Sequence, residues 1–353
     1  MEYPQLYLFD SEGDEGEALV RHAQELGIEA PFIVSSVHGK KLASAFKNNE
    51  PQITPGARAD QKWAAELGSR AHRSGADAIV AIGGGRCLDV AKLAAARAGL
   101  TLFSVPTQLS HDGICSPVAV VPGDDGRAES LGAIAPHAVF VSLPTLALAP
   151  PAAAAAGLGD LLANPLALRD WQLAVEHGVE EPIDQDAWDL SVRSFEGIER
   201  YLDTDPAESV KDPEFLKALV DSLVTSGMAM IHAHSSRPAS GAEHEISHAI
   251  DRLFGGRALH GAQVAFGCII SLALYEEDTD AFRGRLRRLG LPDHPTHLGL
   301  SEDDLVQVLL EAPNTRPGRY TILEQADPVE TRNLHRITRD LWEDEVPDSR
   351  SRA

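Results

Sequence analysis

The stretch Ala78-Ile-Val-Ala-Ile-Gly-Gly-Gly-Arg-Cys-Leu-Asp-Val-Ala-Lys92 decides the fold class. Its first five residues form a continuous apolar run, as expected for a strand buried on both faces of a parallel sheet. Gly83, Gly84 and Gly85 end the run, and Leu88 to Ala98 follows with the alanine-rich character of a helix. Strand, glycine turn, helix is a geometry suited to phosphate. Glycines let backbone N–H groups approach an anion, and the helix N-terminus adds partial positive charge. The turn is not GxGxxG, so the standard dinucleotide fingerprint is absent, and a plain tight turn explains the glycines equally well. Asp89 and Lys92 lie on the following helix. Helical spacing alone puts Lys92 on the surface, unless an anion recruits it.

Outward from this unit the pattern repeats. Leu6 to Phe9, Pro31 to Val34, Leu102 to Val105 and Ala138 to Val141 read as further strands, with a helix over Gly16 to Leu26. Strands alternating with helices indicate a doubly wound parallel sheet. After Pro150-Pro151 nearly everything to about residue 343 is helix-patterned. The clearest helices are Ala187 to Leu202, Pro213 to Ile231, His244 to Leu253 and Val264 to Tyr275, and Ser301-Glu-Asp-Asp304 opens another with a capping-box start. Residues 344–353 are polar and expected to fray. The expected architecture is an α/β domain with a parallel, Rossmann-like sheet over residues 1–150 and an all-helical domain over 151–353. A cleft between them is the default place for a ligand.

Composition narrows the function. The chain has 353 residues, 43% hydrophobic and 24% charged, with a formal net charge of −22. That field repels nucleic acid and anionic membrane surfaces, so neither is an expected partner. An anionic substrate would need a local basic pocket. Cys87, Cys115 and Cys268 show no CxxC spacing, which predicts reduced thiols and a cytoplasmic protein. No segment resembles a signal peptide or a membrane span.

The chemistry-bearing stretch runs from Ser236 to Asp251, Ser-Arg-Pro-Ala-Ser-Gly-Ala-Glu-His-Glu-Ile-Ser-His-Ala-Ile-Asp. His244 and His248 are one helical turn apart on one face. Arg237 lies one short loop upstream, and His260 follows in Leu259-His-Gly261. Histidines converging with a carboxylate make a divalent-metal site, and a neighbouring arginine suits an anionic substrate. A histidine-rich helix without metal explains this stretch equally well. Asp160, in Gly157-Leu-Gly-Asp160, supplies the carboxylate if it is not simply a helix cap. A second loop, Val105 to Pro117, follows a strand and so lies at the carboxyl edge of the sheet. It holds Thr107, Ser110, His111, Asp112 and Ser116. His111, His137, His232 and His234 are expected to be structural or exposed.

In combination these motifs resemble the sn-glycerol-1-phosphate dehydrogenase family, within the superfamily of dehydroquinate synthases, glycerol dehydrogenases and iron-containing alcohol dehydrogenases. The matching residues are Gly83 to Lys92, Ser104 to Thr107, Ser110 to Gly113, Gly157 to Asp160, Asp170-Trp171, Ser236 to Asp251 and His260-Gly261, in the family's order. The ends of the chain match only loosely, and Arg86 stands where the family usually has lysine.

The resemblance implies a dehydroquinate synthase-like fold and a homo-oligomer. It implies a divalent metal, zinc first with nickel or iron as alternatives, held by Asp160, His244 and His260, with His248 facing the substrate instead of ligating. It implies NAD(H) or NADP(H), with the pyrophosphate on Gly83, Gly84 and Gly85 near Asp89, and Thr107, Ser110 and Ser116 along the nicotinamide. The implied reaction is hydride transfer to dihydroxyacetone phosphate, a small phosphorylated ketone, with the metal as Lewis acid. Asp112, His248 and water at the metal are unranked proton sources. Arg237 is expected to bind the phosphate, or else to pair with Glu243. The competing readings are a sugar-phosphate cyclase like dehydroquinate synthase, a dehydrogenase of another polyol or polyol phosphate, and a non-catalytic binding protein that keeps the fold.

Overall fold

The computed structural model describes residues 3–10, 15–47, 49–56, 59–123, 126–327 and 330–342. Among them are eight strands: β1 (Gln5–Phe9), β2 (Pro31–Ser35), β3 (Gln52–Ile53), β4 (Ala78–Gly83), β5 (Thr101–Pro106), β6 (Val118–Pro122), β7 (Ala128–Gly132) and β8 (Ala138–Ser142). Six form one parallel sheet in the order β1-β8-β5-β4-β2-β3. The expected helix over residues 16–26 is Glu15–Glu25, and the one after the glycine turn is Gly85–Ala98.

The apolar run of β4 is explained by packing on both faces. Every β4 residue is buried. Ile79 and Ala81 belong to one apolar core, and Ala78, Val80 and Ile82 to a second. β8 divides the same way, with Val139 and Val141 on one side and Ala138 and Phe140 on the other. Successive side chains of a strand point to opposite faces, so a sheet covered by helices on both sides needs apolar residues at every position.

β3 and the antiparallel hairpin β6–β7 were not expected from the sequence. β3 is two residues long, too short to carry a period. The hairpin register runs from Val118 opposite Gly132 to Pro122 opposite Ala128.

The described elements after Ser142 are all helical. Expected helices are present as Gln185–Glu196, Pro213–Ala233, Ala242–Phe254 and His260–Leu274. The first is shorter than expected: it ends at Gly197, and Glu199–Tyr201 forms a separate 3-10 turn. The last starts four residues earlier than expected, so His260 is its first residue. At Ser301 both reciprocal bonds of the capping box with Asp304 are present. The expectation for residues 344–353 lies outside the described residues. No described helix is long and apolar enough to cross a membrane.

Candidate active site

Parallel register aligns the carboxyl ends of β2, β4 and β5. Ser35 pairs with Ile82, Gly83 with Pro106, and the Thr107 N–H donates to the Gly83 carbonyl at 3.1 Å. A cleft of about 1050 Å³ opens along these ends. Gly84, Gly85, Asp89, Thr107, Ser110, Asp112 and Ser116 line one side, and His244, His248 and His260 line the other. Ligands of open α/β sheets bind at this edge.

The three glycines have different reasons to be glycine. Gly83 is buried and does not line the cleft; a Cβ there would lie 2.8 Å from Cys87 Cβ and 2.9 Å from Ser36 Cβ. The expectation that all three face the cofactor is corrected at this position, where packing alone excludes a side chain. Gly84 is the extended N-cap of the Gly85–Ala98 helix and makes no side-chain cap. The Cys87 N–H donates to the Gly84 carbonyl at 2.9 Å, which leaves the N–H groups of Gly85 and Arg86, both cleft residues, without a capping oxygen. Lys92 is not on the surface either. It is 1% exposed, and its Nζ donates to the Val118 carbonyl at 2.7 Å and to Asp89 Oδ1 at 3.3 Å. It ties the helix to β6, and Asp89 also accepts from the Val120 N–H at 3.3 Å.

Three helices bring the proposed metal ligands together. Asp160 lies in the last turn of Pro151–Leu161, His244 in the first turn of Ala242–Phe254, and His260 at the start of His260–Leu274. Asp160 is therefore no N-cap. Its Oδ1 lies 3.7 Å from His244 Nε2 and 3.8 Å from His260 Nε2, and one ligand atom from each residue falls within 4.8 Å of the others. Tetrahedral ligands about 2.1 Å from an ion stand roughly 3.4 Å apart, so the spacing fits a divalent cation. Asp160 Oδ1 is buried without a hydrogen-bond partner, while Oδ2 accepts from the Asp112 N–H at 2.9 Å.

The outer nitrogens are also occupied. His244 Nδ1 meets Glu243 Oε1 at 2.9 Å and His260 Nδ1 meets Ser247 Oγ at 3.5 Å, which turns both Nε2 atoms toward Asp160. Glu243 Oε1 also accepts from the Gly241 N–H, at 2.6 Å, so the alternative pairing of Glu243 with Arg237 is not made. Asp170 accepts from the Tyr275 hydroxyl and from the N–H groups of Ala242 and Ile322, which fixes the start of the helix bearing His244.

Burial opposes charge throughout the cluster, and the neighbours decide each outcome. At Asp160 burial works against ionisation, but the imidazole of His244, then those of His260 and His111, bring the carboxyl below its usual value. His244 is driven down by burial yet raised to about 9 by Asp160 and Glu243. His260 is pushed down to about 3, chiefly by burial. His248 is held well below its ordinary value by burial and then by Arg316, so its imidazole is neutral. Its Nδ1 is buried without a partner, and its ring centroid lies 5.9 Å from that of His260. Asp112 rises to about 7 through burial and then through Asp160, and it accepts from Ser226 Oγ at 3.1 Å.

Two further residues depart from the sequence reading. Arg237 is 1% exposed and does not line the cleft. Its guanidinium is taken by Glu180 at 2.8 Å and by the Tyr320 carbonyl at 2.7 Å, so it is not a free cation facing a substrate. Two arginines do line the cleft: Arg86, beside the glycine turn, and Arg316, which carried no motif and shares the cleft with the three histidines. His111, expected to be structural or exposed, lies in the cleft. Its ring covers Gly85 and meets the His260 ring edge-on at 5.5 Å, joining the glycine turn to the ligand cluster.

The chain is 40% identical to a glycerol-1-phosphate dehydrogenase (NAD(P)+) of Cenarchaeum symbiosum (strain A), over 70% of this chain and 68% of the relative. It is 41% identical to the protein of that name from Hyperthermus butylicus, over 70% of each. The chain belongs to the glycerol-1-phosphate dehydrogenase family. A family model described as iron-containing alcohol dehydrogenase matches residues 14–150. The crystal structure of a probable glycerol dehydrogenase from Sinorhizobium meliloti 1021 superposes with a TM-score of 0.77 over 96% of each chain, at 22% identity, and shares the fold.

Proposed function

We propose that this chain is a metal-dependent, NAD(P)-linked oxidoreductase that interconverts dihydroxyacetone phosphate and sn-glycerol 1-phosphate. The observation that carries the reading is the convergence, in one cleft, of an uncapped helix N-terminus and the Asp160, His244 and His260 cluster. The first holds a dinucleotide pyrophosphate on the backbone N–H groups beyond Gly84. Thr107, Ser110 and Ser116 then lie along the nicotinamide. A divalent ion on the second, zinc in this reading with nickel or iron as alternatives, would supply Lewis acidity toward the ketone oxygen.

Bound there, the nicotinamide would supply hydride to C2 of the ketone, and the chain's own residues would deliver a proton to its oxygen. Asp112 and His248 both face that space. Asp112 carries a proton near neutrality, oriented by Ser226. His248 stays neutral and offers a hydrogen bond. The reading also includes a boundary near residue 150, a homo-oligomer and a cytoplasmic setting; these rest on the family resemblance and the element pattern.

Consumption of reduced nicotinamide with dihydroxyacetone phosphate, before and after chelation and metal restoration, tests the reaction. Metal-dependent oxidation of NADH or NADPH is expected, with loss of turnover in His244→Ala. A metal-loaded protein that consumes neither cofactor would overturn the reading.

A further inference from the structure

Arg316 and Arg319 flank a turn, Arg316-Pro-Gly-Arg319, in which Gly318 has φ 87°. Both reach the loop that leads into the helix bearing His244. Arg316 Nη1 donates to Ser240 Oγ at 2.6 Å and Ser236 Oγ at 3.1 Å, and Nη2 donates to Ser130 Oγ at 3.3 Å. Arg319 donates to the Ser240 carbonyl at 2.5 Å and to Ser236 Oγ at 2.9 Å.

Every one of these acceptors is neutral. Among the described residues no carboxylate lies within ion-pairing distance of either guanidinium, whereas Arg237 beside them has Glu180. Both half-buried guanidiniums are held by hydroxyls and a carbonyl instead, in a protein of net charge −22 that has carboxylates to spare for pairing them. Glu243 and Glu245 bear on both arginines only from beyond that distance.

The hydroxyls complete the picture. Ser236 Oγ accepts from both arginines and Ser240 Oγ accepts from Arg316, which leaves each hydroxyl hydrogen free to donate elsewhere. Arg316, Ser236 and Ser240 line the same cleft as His244, His248 and His260. The side chains facing the cleft here are therefore donors backed by two positive charges. That is the chemistry of a site for a tetrahedral dianion.

We infer that Arg316, Ser236 and Ser240 form the subsite that holds the phosphate of the substrate, with Arg319 as a second charge behind it. This rests on the reading that the substrate is a phosphorylated ketone, and it replaces Arg237 in that role. The site lies on the loop four residues before His244, so one short phosphorylated molecule reaches both the cradle and the ligand cluster.

The test uses metal-loaded protein and two probes. Titration with inorganic phosphate, followed by calorimetry, reads the cradle alone. Kinetics with dihydroxyacetone phosphate and with dihydroxyacetone read its effect on the reaction. In Arg316→Ala phosphate binding is expected to weaken by about 10- to 100-fold, with a matching rise in KM for the phosphorylated ketone. KM for dihydroxyacetone should stay within about threefold. Arg316→Lys, which keeps the charge but not the fork, should lie between Arg316→Ala and the parent chain. Ser240→Ala, a milder change that covers the case of a misfolded arginine variant, should weaken phosphate by about fivefold. Unchanged phosphate affinity in the folded variants, equal KM effects on both ketones, or no phosphate binding by the parent chain would each overturn the subsite. If the parent chain binds phosphate through Arg316 yet reduces no ketone, the subsite stands and the proposed reaction falls.

Discussion

Glu243 shows how much one buried side chain can set. One oxygen fixes the start of its own helix through the Gly241 N–H and, at 2.9 Å, the orientation of His244. Replacing it by glutamine keeps the shape and an acceptor but removes the charge that makes the imidazole a better ligand. Glu243→Gln should weaken metal binding by about tenfold, measured by competition with a chromogenic chelator. Unaltered affinity would reduce Glu243 to a helix cap. At this scale the sequence was only partly legible. Asp160, His244 and His260 were found through motif order, and the structure brings those three together. Arg237 was singled out because it adjoins the histidine stretch, but adjacency in sequence does not say which way a side chain leaves a loop. Arg316 sits beyond every recognised motif, in Asn314-Thr-Arg-Pro-Gly-Arg-Tyr320, where no periodicity marks it. A cation between proline and glycine punctuation was the one available hint.

Among elements, glycine at helix crossings is what lets three ligand-bearing helices meet. A Cβ on Gly159 would stand 2.5 Å from the Gly261 carbonyl oxygen and 3.1 Å from Ala265 Cβ; one on Gly267 would stand 2.5 Å from the Glu243 carbonyl oxygen. Neither neighbour is the free end of a flexible side chain, so the helices themselves must yield. Gly159→Ala should cost about 1–3 kcal/mol of stability by overpacking and loosen the metal at least tenfold, because the displaced backbone carries Asp160 itself. Denaturant unfolding and chelator competition on one preparation check both numbers, and a variant with parental metal affinity would show that the crossing does not set the ligand spacing. The long helices were legible from their 3.6-residue period and their caps. The hairpin β6–β7 was missed although Gly123-Asp-Asp-Gly-Arg127 is a strong turn signal, because its second strand, Ala-Glu-Ser-Leu-Gly, has neither β-branched nor aromatic residues to mark it.

Across the whole molecule, alternation of strand and helix before Ser142 and helices alone after it was readable because burial on both sheet faces forces unbroken apolar strands. Strand order was not readable, since nothing in β1 states that its neighbour is β8. The ligand cluster joins helices that begin at Pro151, Ala242 and His260, so an ion there links distant parts of the chain. Binding to the folded state alone should stabilise it by about 4 kcal/mol at a thousandfold excess over Kd. Chelation is therefore expected to lower the thermal midpoint by on the order of 10 °C, recovered on adding back one ion per chain. A midpoint indifferent to chelation would show that the cluster does not carry the ion.

The sheet order has a further consequence, for the ribosome. β1 leaves the tunnel first, but its partner is Ala138–Ser142, while β2, β4 and β5 are neighbours nearer in sequence. A nascent chain can therefore assemble the centre of the sheet while Gln5–Phe9 still waits unpaired. Its unpaired backbone edge stays open to chaperones or to a neighbouring nascent chain until residue 142 emerges. The interval between the emergence of β5 and that of β8 is then the window in which β1 is open to mispairing.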